Sequence, residues 1–213
     1  MWINSMQIED AFVVDLYDDV RDGLLLLRVC HRIDDTTVDL TKPNYKPKNM
    51  FDRNFNCDMC IEAMQKLRVR LVGIGSQDIR DGVKKNVLAM VWQLMRVHYL
   101  KIIGSKTEAD LLAWVNATCQ PESEIKSFND PQFADGRVLI KLSQAIEPRI
   151  INWDLVTPGE TDEEKELNAK YAISIARKLG AIVFLVWDDI PKLNKKMILI
   201  FVCAMYDLKH SVA

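Results

Sequence analysis

Long apolar runs are missing from this 213-residue chain. The longest, Met197–Met205, has polar flanks and falls far short of the roughly 20 residues that a membrane-spanning helix needs. The opening Met1-Trp2-Ile3-Asn4 has neither a basic leader nor an apolar signal core, so no secretory targeting is expected. Glycine and proline are scarce, at eight and seven residues, which excludes collagen-like and low-complexity architectures. Charge of one sign is lacking as well. Twenty-eight basic against 30 acidic residues leave a net charge of −2, so no global field draws the chain to nucleic acid or anionic lipid. Histidine is limited to His31, His98 and His210, far apart and outside any nucleophile motif. What remains is 49% hydrophobic and 27% charged, the balance of an ordinary globular protein with room for one large domain or two smaller ones.

An internal repeat decides between those options. Trp2-Ile3-Asn4 returns as Trp114-Val115-Asn116 at an offset of 112 residues, and Asp22-Gly23 returns as Asp135-Gly136 at 113. Asn56 matches Asn168 at 112, Asp78-Ile79 matches Asp189-Ile190 at 111, and Met95 matches Met205 at 110. Landmarks in constant order at near-constant separation imply two divergent copies of one unit, over residues 1–103 and 107–213, joined by Gly104-Ser105-Lys106.

Each copy reads as helical. Thr107–Asp110 and Thr161–Glu164 place a carboxylate three residues after a hydroxyl, the pattern of a capping box. Asp135-Gly136 opens a segment reaching Ile146, with Pro148 as its stop. Leu167, Tyr171, Ile175 and Leu179 mark one face of the next helix, which Gly180 ends. Lys195 to about Lys209 closes the copy. In the first copy, helices are expected near Asp22–Ile33, Met50–Leu67 and Val83–Lys101. The last is apolar almost all round, which predicts a central position with a narrow exposed stripe of Lys84, Lys85, Gln93 and Arg96. Alternating strand patterns are absent.

Leu71–Ile79, Asp81-Gly82 and Leu88–Arg96 resemble the actin-binding signature of tandem calponin-homology domains in the fimbrin/plastin family of actin-bundling proteins. Ile151–Val156 and Asn168–Ala181 resemble the last calponin-homology domain of the same family, so the likeness runs through the whole chain. It implies an all-α fold of two tandem calponin-homology domains, each a bundle of about four main helices. It further implies the second, C-terminal actin-binding core of such a protein: a non-catalytic module whose partner is filamentous actin, in the cytoplasm and actin cytoskeleton. The family's first helix begins about a dozen residues before its Trp-x-Asn, so the first-unit helix is expected to be represented only by its tail, Trp2–Met6. Asn86 departs from the signature, where an apolar residue is usual. No segment fits the family's calcium-binding loop pattern.

The resemblance also nominates a contact surface. Lys84, Lys85, Leu88, Trp92, Gln93 and Arg96 form its principal patch, although a tryptophan at helical spacing reads first as core. Lys46, Lys48 and Asn49 form a second patch, and Ala113 with Asn116 a third. Residues 1–106 carry 16 basic and 14 acidic residues, net +2, while 107–213 carry 12 and 16, net −4. An acidic filament would face the first copy. The rival reading is a calponin-homology module for other protein partners, with little affinity for actin.

Enzyme chemistry has weak support. Cys57-Asp58-Met59-Cys60 is a single CxxC without the further ligands that structural zinc needs. Five cysteines, an odd number, read as buried free thiols of a reducing compartment. Gly73-Ile74-Gly75 lacks the third glycine and the Lys-Ser/Thr of a phosphate loop, and Asp188-Asp189 reads as a turn cap. The expectation is therefore no catalytic residue, metal or cofactor, in a monomer without nucleic-acid or membrane partners.

Overall fold

A computed structural model describes residues 2–9, 11–104 and 106–211; Ser105 of the expected linker lies outside them. All regular structure among the described residues is helical. The chain divides into two units, the first running to His98 and the second beginning at Tyr99. The first contains α1 (Trp2–Ser5), α2 (Leu16–Asp19), α3 (Leu24–Ile33), α4 (Met50–Lys66), α5 (Ser76–Arg80) and most of α6 (Lys84–Ile102). The second contains α7 (Glu108–Cys119), α8 (Arg137–Ile146), α9 (Asp162–Lys178) and α10 (Lys195–Ser211). Single turns at Pro131–Phe133, Pro148–Ile150, Trp153–Leu155 and Trp187–Asp189 punctuate its loops. Among the described residues no helix is long and apolar enough to cross a membrane.

The repeat landmarks have matching structural roles. Asn4 accepts from Val13 N at 2.8 Å and donates to Val13 O at 3.0 Å. Asn116 treats Ile125 in the same way, at 2.9 Å in both directions. Each asparagine thus supplies both poles of its amide to a backbone group nine residues on, folding a loop back onto α1 or α7. Asn56 and Asn168 form deeper ties. Asn56 Nδ2 donates to Asp22 O and Asn44 O at 3.0 and 2.9 Å, while its Oδ1 accepts from Asn44 N at 2.9 Å. Asn168 does the same with Asp135 O, Thr157 O and Thr157 N at 2.9, 3.1 and 2.9 Å. Both are buried, and each fastens two loops to the middle of a long helix.

The Asp-Gly pairs belong to the same joints. Gly23 and Gly136 adopt φ of 79° and 74°, in the left-handed region that side chains disfavour. A Cβ on Gly23 would come within 2.9 Å of the Asn56 backbone, and one on Gly136 within 3.2 Å of the Asn168 backbone. Glycine therefore both turns the chain and admits the helix that carries the asparagine.

Helix limits follow the sequence signals closely. Both threonine capping boxes form, with Asp110 N and Glu164 N each donating 3.2 Å to the capping hydroxyl. Gly180 ends α9 as a Schellman turn: Gly180 N reaches Arg177 O at 3.0 Å and Ala181 N reaches Ala176 O at 2.9 Å. Two packing expectations need correction. On α9 the buried face is not Leu167–Tyr171–Ile175–Leu179; Leu167 is exposed, and the core face is Asn168, Ala169, Ala172, Ile173, Ile175 and Ala176. Ala169, Ala172 and Ala176 let α8 approach closely, while Leu167 is exposed and Tyr171 and Leu179 sit at the margin. The fully central helix is α10, buried continuously from Ile198 to Met205. Its first-unit counterpart α6 buries Val87, Met90, Leu94 and Met95 but leaves Leu88 50% exposed.

Candidate functional site

Around α6 the geometry begins at Gly82. Its φ is 64°, and a Cβ there would lie 2.7 Å from Tyr17 O. This close pass seats the α2 loop against the start of α6 and brings the Tyr17 ring 5.2 Å from Lys84 Nζ, a cation–π contact. The cation next door is used differently. Arg80 grips both carboxylate oxygens of Asp81 at 2.7 and 2.9 Å and donates to Asn54 Oδ1 at 3.0 Å. That pairing holds the Asp81 carboxyl below its ordinary value. Arg80 and Asp81 thereby neutralise each other beside the helix start, while Lys84 and Lys85 stay exposed.

Lys85, Leu88, Trp92 and Arg96 recur at three- and four-residue spacing and share one face of α6, opposite Met90 and Leu94 of the core. Lys84, Lys85 and Leu88 are exposed; Trp92, Gln93 and Arg96 are half-buried. The face is an apolar stripe bounded by cations. Asn86 sits half-buried in the first turn, where its polar side chain can keep solvent contact.

The second predicted patch is a shaped loop. Asn49 caps α4 by accepting from Asp52 N at 3.0 Å, and Asp52 in return accepts from Lys48 N at 2.9 Å. Lys46 N is held by Asn44 Oδ1 at 3.0 Å. The backbone is thus pinned, whereas the Lys46 and Lys48 ammonium groups have no ion-pair partner among the described residues. On α7, Ala113 is exposed, but Asn116 spends its amide on Ile125. Lys84, Lys85, Leu88, Trp92, Gln93 and Arg96 lie together; the loop residues are a separate element of the same unit, and Ala113 with Asn116 belongs to the other unit.

Sequence reasoning missed the exposed apolar residues of the first unit. Phe51 is 78% exposed and Phe55 52%, beside Met50 at 56% and directly after the Lys48–Asn49 cap. Two phenylalanines at i and i+4 ordinarily signal a buried stripe, but α4 buries Asn56, Cys57, Cys60, Ala63 and Met64 instead. No sequence signal separates these alternatives.

The CxxC cysteines are core residues. Cys60 Sγ lies 3.1 Å from Gly23 O and Cys57 Sγ 3.7 Å from Arg21 O. Desolvation pushes the Cys30, Cys57 and Cys119 thiols up to about 12 and Cys60 well above its ordinary value. At pH 8 only about one in 10,000 of such thiols is a thiolate. A chromogenic disulfide reagent is expected to find all five thiols within minutes in denaturant and none over the same time in the native chain. The sign also fixes alkaline stability. Thiols raised on folding favour the native state below the unfolded value near 8.5, and that contribution is lost as pH rises towards 12. Near Asp189 the turn reading holds: its carboxylate accepts from Val186 N at 2.9 Å and Asn194 Nδ2 at 2.7 Å.

The family model described as Calponin homology (CH) domain matches residues 1–100 and 105–211. The chain belongs to the calponin homology family. It is 38% identical to Fimbrin-3 of Arabidopsis thaliana over 218 residues, covering 96% of this chain and 30% of that protein. It is 36% identical to human Plastin-3 over 220 residues, covering 96% and 35%. The calponin homology pair thus spans about a third of the length of the curated relatives it matches. Among solved structures, the crystal structure of the actin-crosslinking core of Schizosaccharomyces pombe fimbrin superposes with a TM-score of 0.85 at 33% identity. It aligns with 97% of this chain and 46% of that one. The all-α tandem fold and the likeness to fimbrins and plastins, both expected from the sequence, hold.

Proposed function

We propose that this calponin homology pair is a non-catalytic actin-filament-binding core of a fimbrin/plastin-like cross-linking protein, working in the cytoplasm as a monomeric element of the cytoskeleton. The observation that carries the reading is the α6 face, where exposed Leu88 and half-buried Trp92 lie between Lys84, Lys85 and Arg96. An interface of this kind gains affinity from its apolar centre and association rate from its cationic rim. The pinned loop with Lys46, Lys48 and Asn49 adds a second contact, and exposed Met50, Phe51 and Phe55 give that contact apolar area. The second unit tunes and stabilises the contact through the margin around Ala113. The likeness to a solved actin-crosslinking core and to fimbrins and plastins supports this partner over an unrelated one.

High-speed co-sedimentation with actin filaments tests it. Pelleting is expected to saturate and to weaken as salt rises from about 50 to 150 mM, because exposed charges are screened over shorter distances. Low-speed sedimentation is expected to show no bundles, since one core engages one filament. Absence of pelleting at both salt concentrations would favour a module for another protein partner.

A further inference from the structure

The second unit carries a groove on the outer side of α9 that the filament-binding reading does not use. Its cavity of about 370 Å³ is lined by Lys170, Ile173, Ser174, Arg177, Leu185 and Trp187. Ile173 and Leu185 form an apolar floor, at 7% and 1% exposure, and the indole of Trp187 forms a wall. Lys170 Nζ lies 5.4 Å from that ring and pairs with Glu166. Arg177 is exposed, and its guanidinium has no partner among the described residues. Beyond the floor, the chain from Ala181 to Val186 runs without helix or ladder. Ala181, Val183 and Leu185 point inward, while Ile182 and Val186 are 55% and 59% exposed. Ile182 O accepts from the Tyr99 hydroxyl at 3.0 Å and Val186 N donates to Asp189 at 2.9 Å. The backbone of residues 183–185 has no partner among the described residues, so this short stretch is open beside an outward apolar row.

The first unit supplies an internal control. At the offset of 112 residues, Lys170, Ser174 and Arg177 correspond to Asp58, Glu62 and Gln65; at 111, Trp187 corresponds to Ser76. The same helix face there is acidic and has no indole wall. The cations and the indole wall are therefore properties of the second copy and not of the fold. Side chains seven residues apart on a helix, as in Lys170 and Arg177, stand about 10 Å apart. An extended peptide puts residues i, i+2 and i+4 on one face, about 13 Å from first to last, a span that the long Lys170 and Arg177 side chains can reach.

We propose that this groove binds an extended acidic–apolar peptide segment of a protein partner. One apolar side chain rests on Ile173, Leu185 and Trp187, and the carboxylates two residues before and two residues after it, on the same face of the peptide, meet Lys170 and Arg177. Charge complementarity selects the acidic class, and the unpartnered backbone at 183–185 selects a peptide in extended form.

The test uses the whole chain and a fluorescein-labelled peptide, Ser-Glu-Ser-Leu-Ser-Glu-Ser, followed by anisotropy at low salt. Saturable binding below about 1 mM is expected, with the lysine-for-glutamate peptide at least about ten-fold weaker. Arg177→Glu, an exposed change that breaks no contact, is expected to weaken the acidic peptide at least about ten-fold. Val186→Asp should act in the same direction through the rim, and both variants should pellet with actin filaments as the parent chain does. No saturation, equal binding of the lysine peptide, or an unchanged affinity in Arg177→Glu would overturn the proposal. Loss of filament pelleting in Arg177→Glu would also overturn it, by placing the groove in the filament contact.

Discussion

Reversing Lys84, Lys85 and Arg96 together to glutamate is expected to lower filament affinity at least about 100-fold, or about 3 kcal/mol. The effect has two parts: three favourable long-range attractions disappear, and three carboxylates then face an acidic partner at short range. Like charges brought together across an interface cost more than the lost attraction alone. Lys84 and Lys85 are exposed, so their reversal leaves the core untouched; the melting temperature of the triple variant serves as the control for Arg96. Leu88→Ser provides the complementary experiment. It removes the exposed apolar centre without altering charge, so affinity should fall by about 1–2 kcal/mol while the dependence on salt stays as it was. A pair of variants that instead bind filaments like the parent would leave the α6 face without a role in filament binding.

Asn168→Ala is expected to cost about 3 kcal/mol or more of stability. It removes one side chain but strands three backbone groups, Asp135 O, Thr157 O and Thr157 N, in a buried joint. For a unit of this size about 1 kcal/mol moves the midpoint by 4–8 °C, so a fall of more than about 10 °C is expected in the second unit's transition. Asn56→Ala should do the same to the first unit, through Asp22 O, Asn44 O and Asn44 N. Scanning calorimetry measures both. A shift of only a few degrees would mean that water replaces the amide and that the joint is held by packing.

These two joints also explain how much of the molecule was legible in its sequence. The repeat could be read because its landmarks are residues with no substitute: an asparagine that bonds both loops, and a glycine that turns left-handed under a passing helix. Capping threonines and Gly180 set helix ends by local chemistry, so those limits were legible too. Short α2 and α5 were not, because helices of four and five residues are held by tertiary packing and not by their own periodicity. Leu167 misled for a related reason. Apolar spacing tells that a helix has a face, but small residues such as Ala169, Ala172 and Ala176 can own the buried side when a neighbour approaches closely. The candidate surface on α6 came from the family resemblance and not from spacing, because a helix apolar almost all round gives periodicity little to mark its outward side. The pinned shape of the 46–49 loop and the α9 groove depend on contacts that join distant segments, and no local pattern encodes them.

Cryo-electron microscopy of actin filaments decorated with this chain tests the central claim most directly. Density should place the first unit against the filament, with Lys85, Leu88, Trp92 and Arg96 of α6 in the contact and the loop at Lys46–Asn49 beside it. Decoration through α9 or α10 of the second unit, with α6 facing solvent, would contradict it.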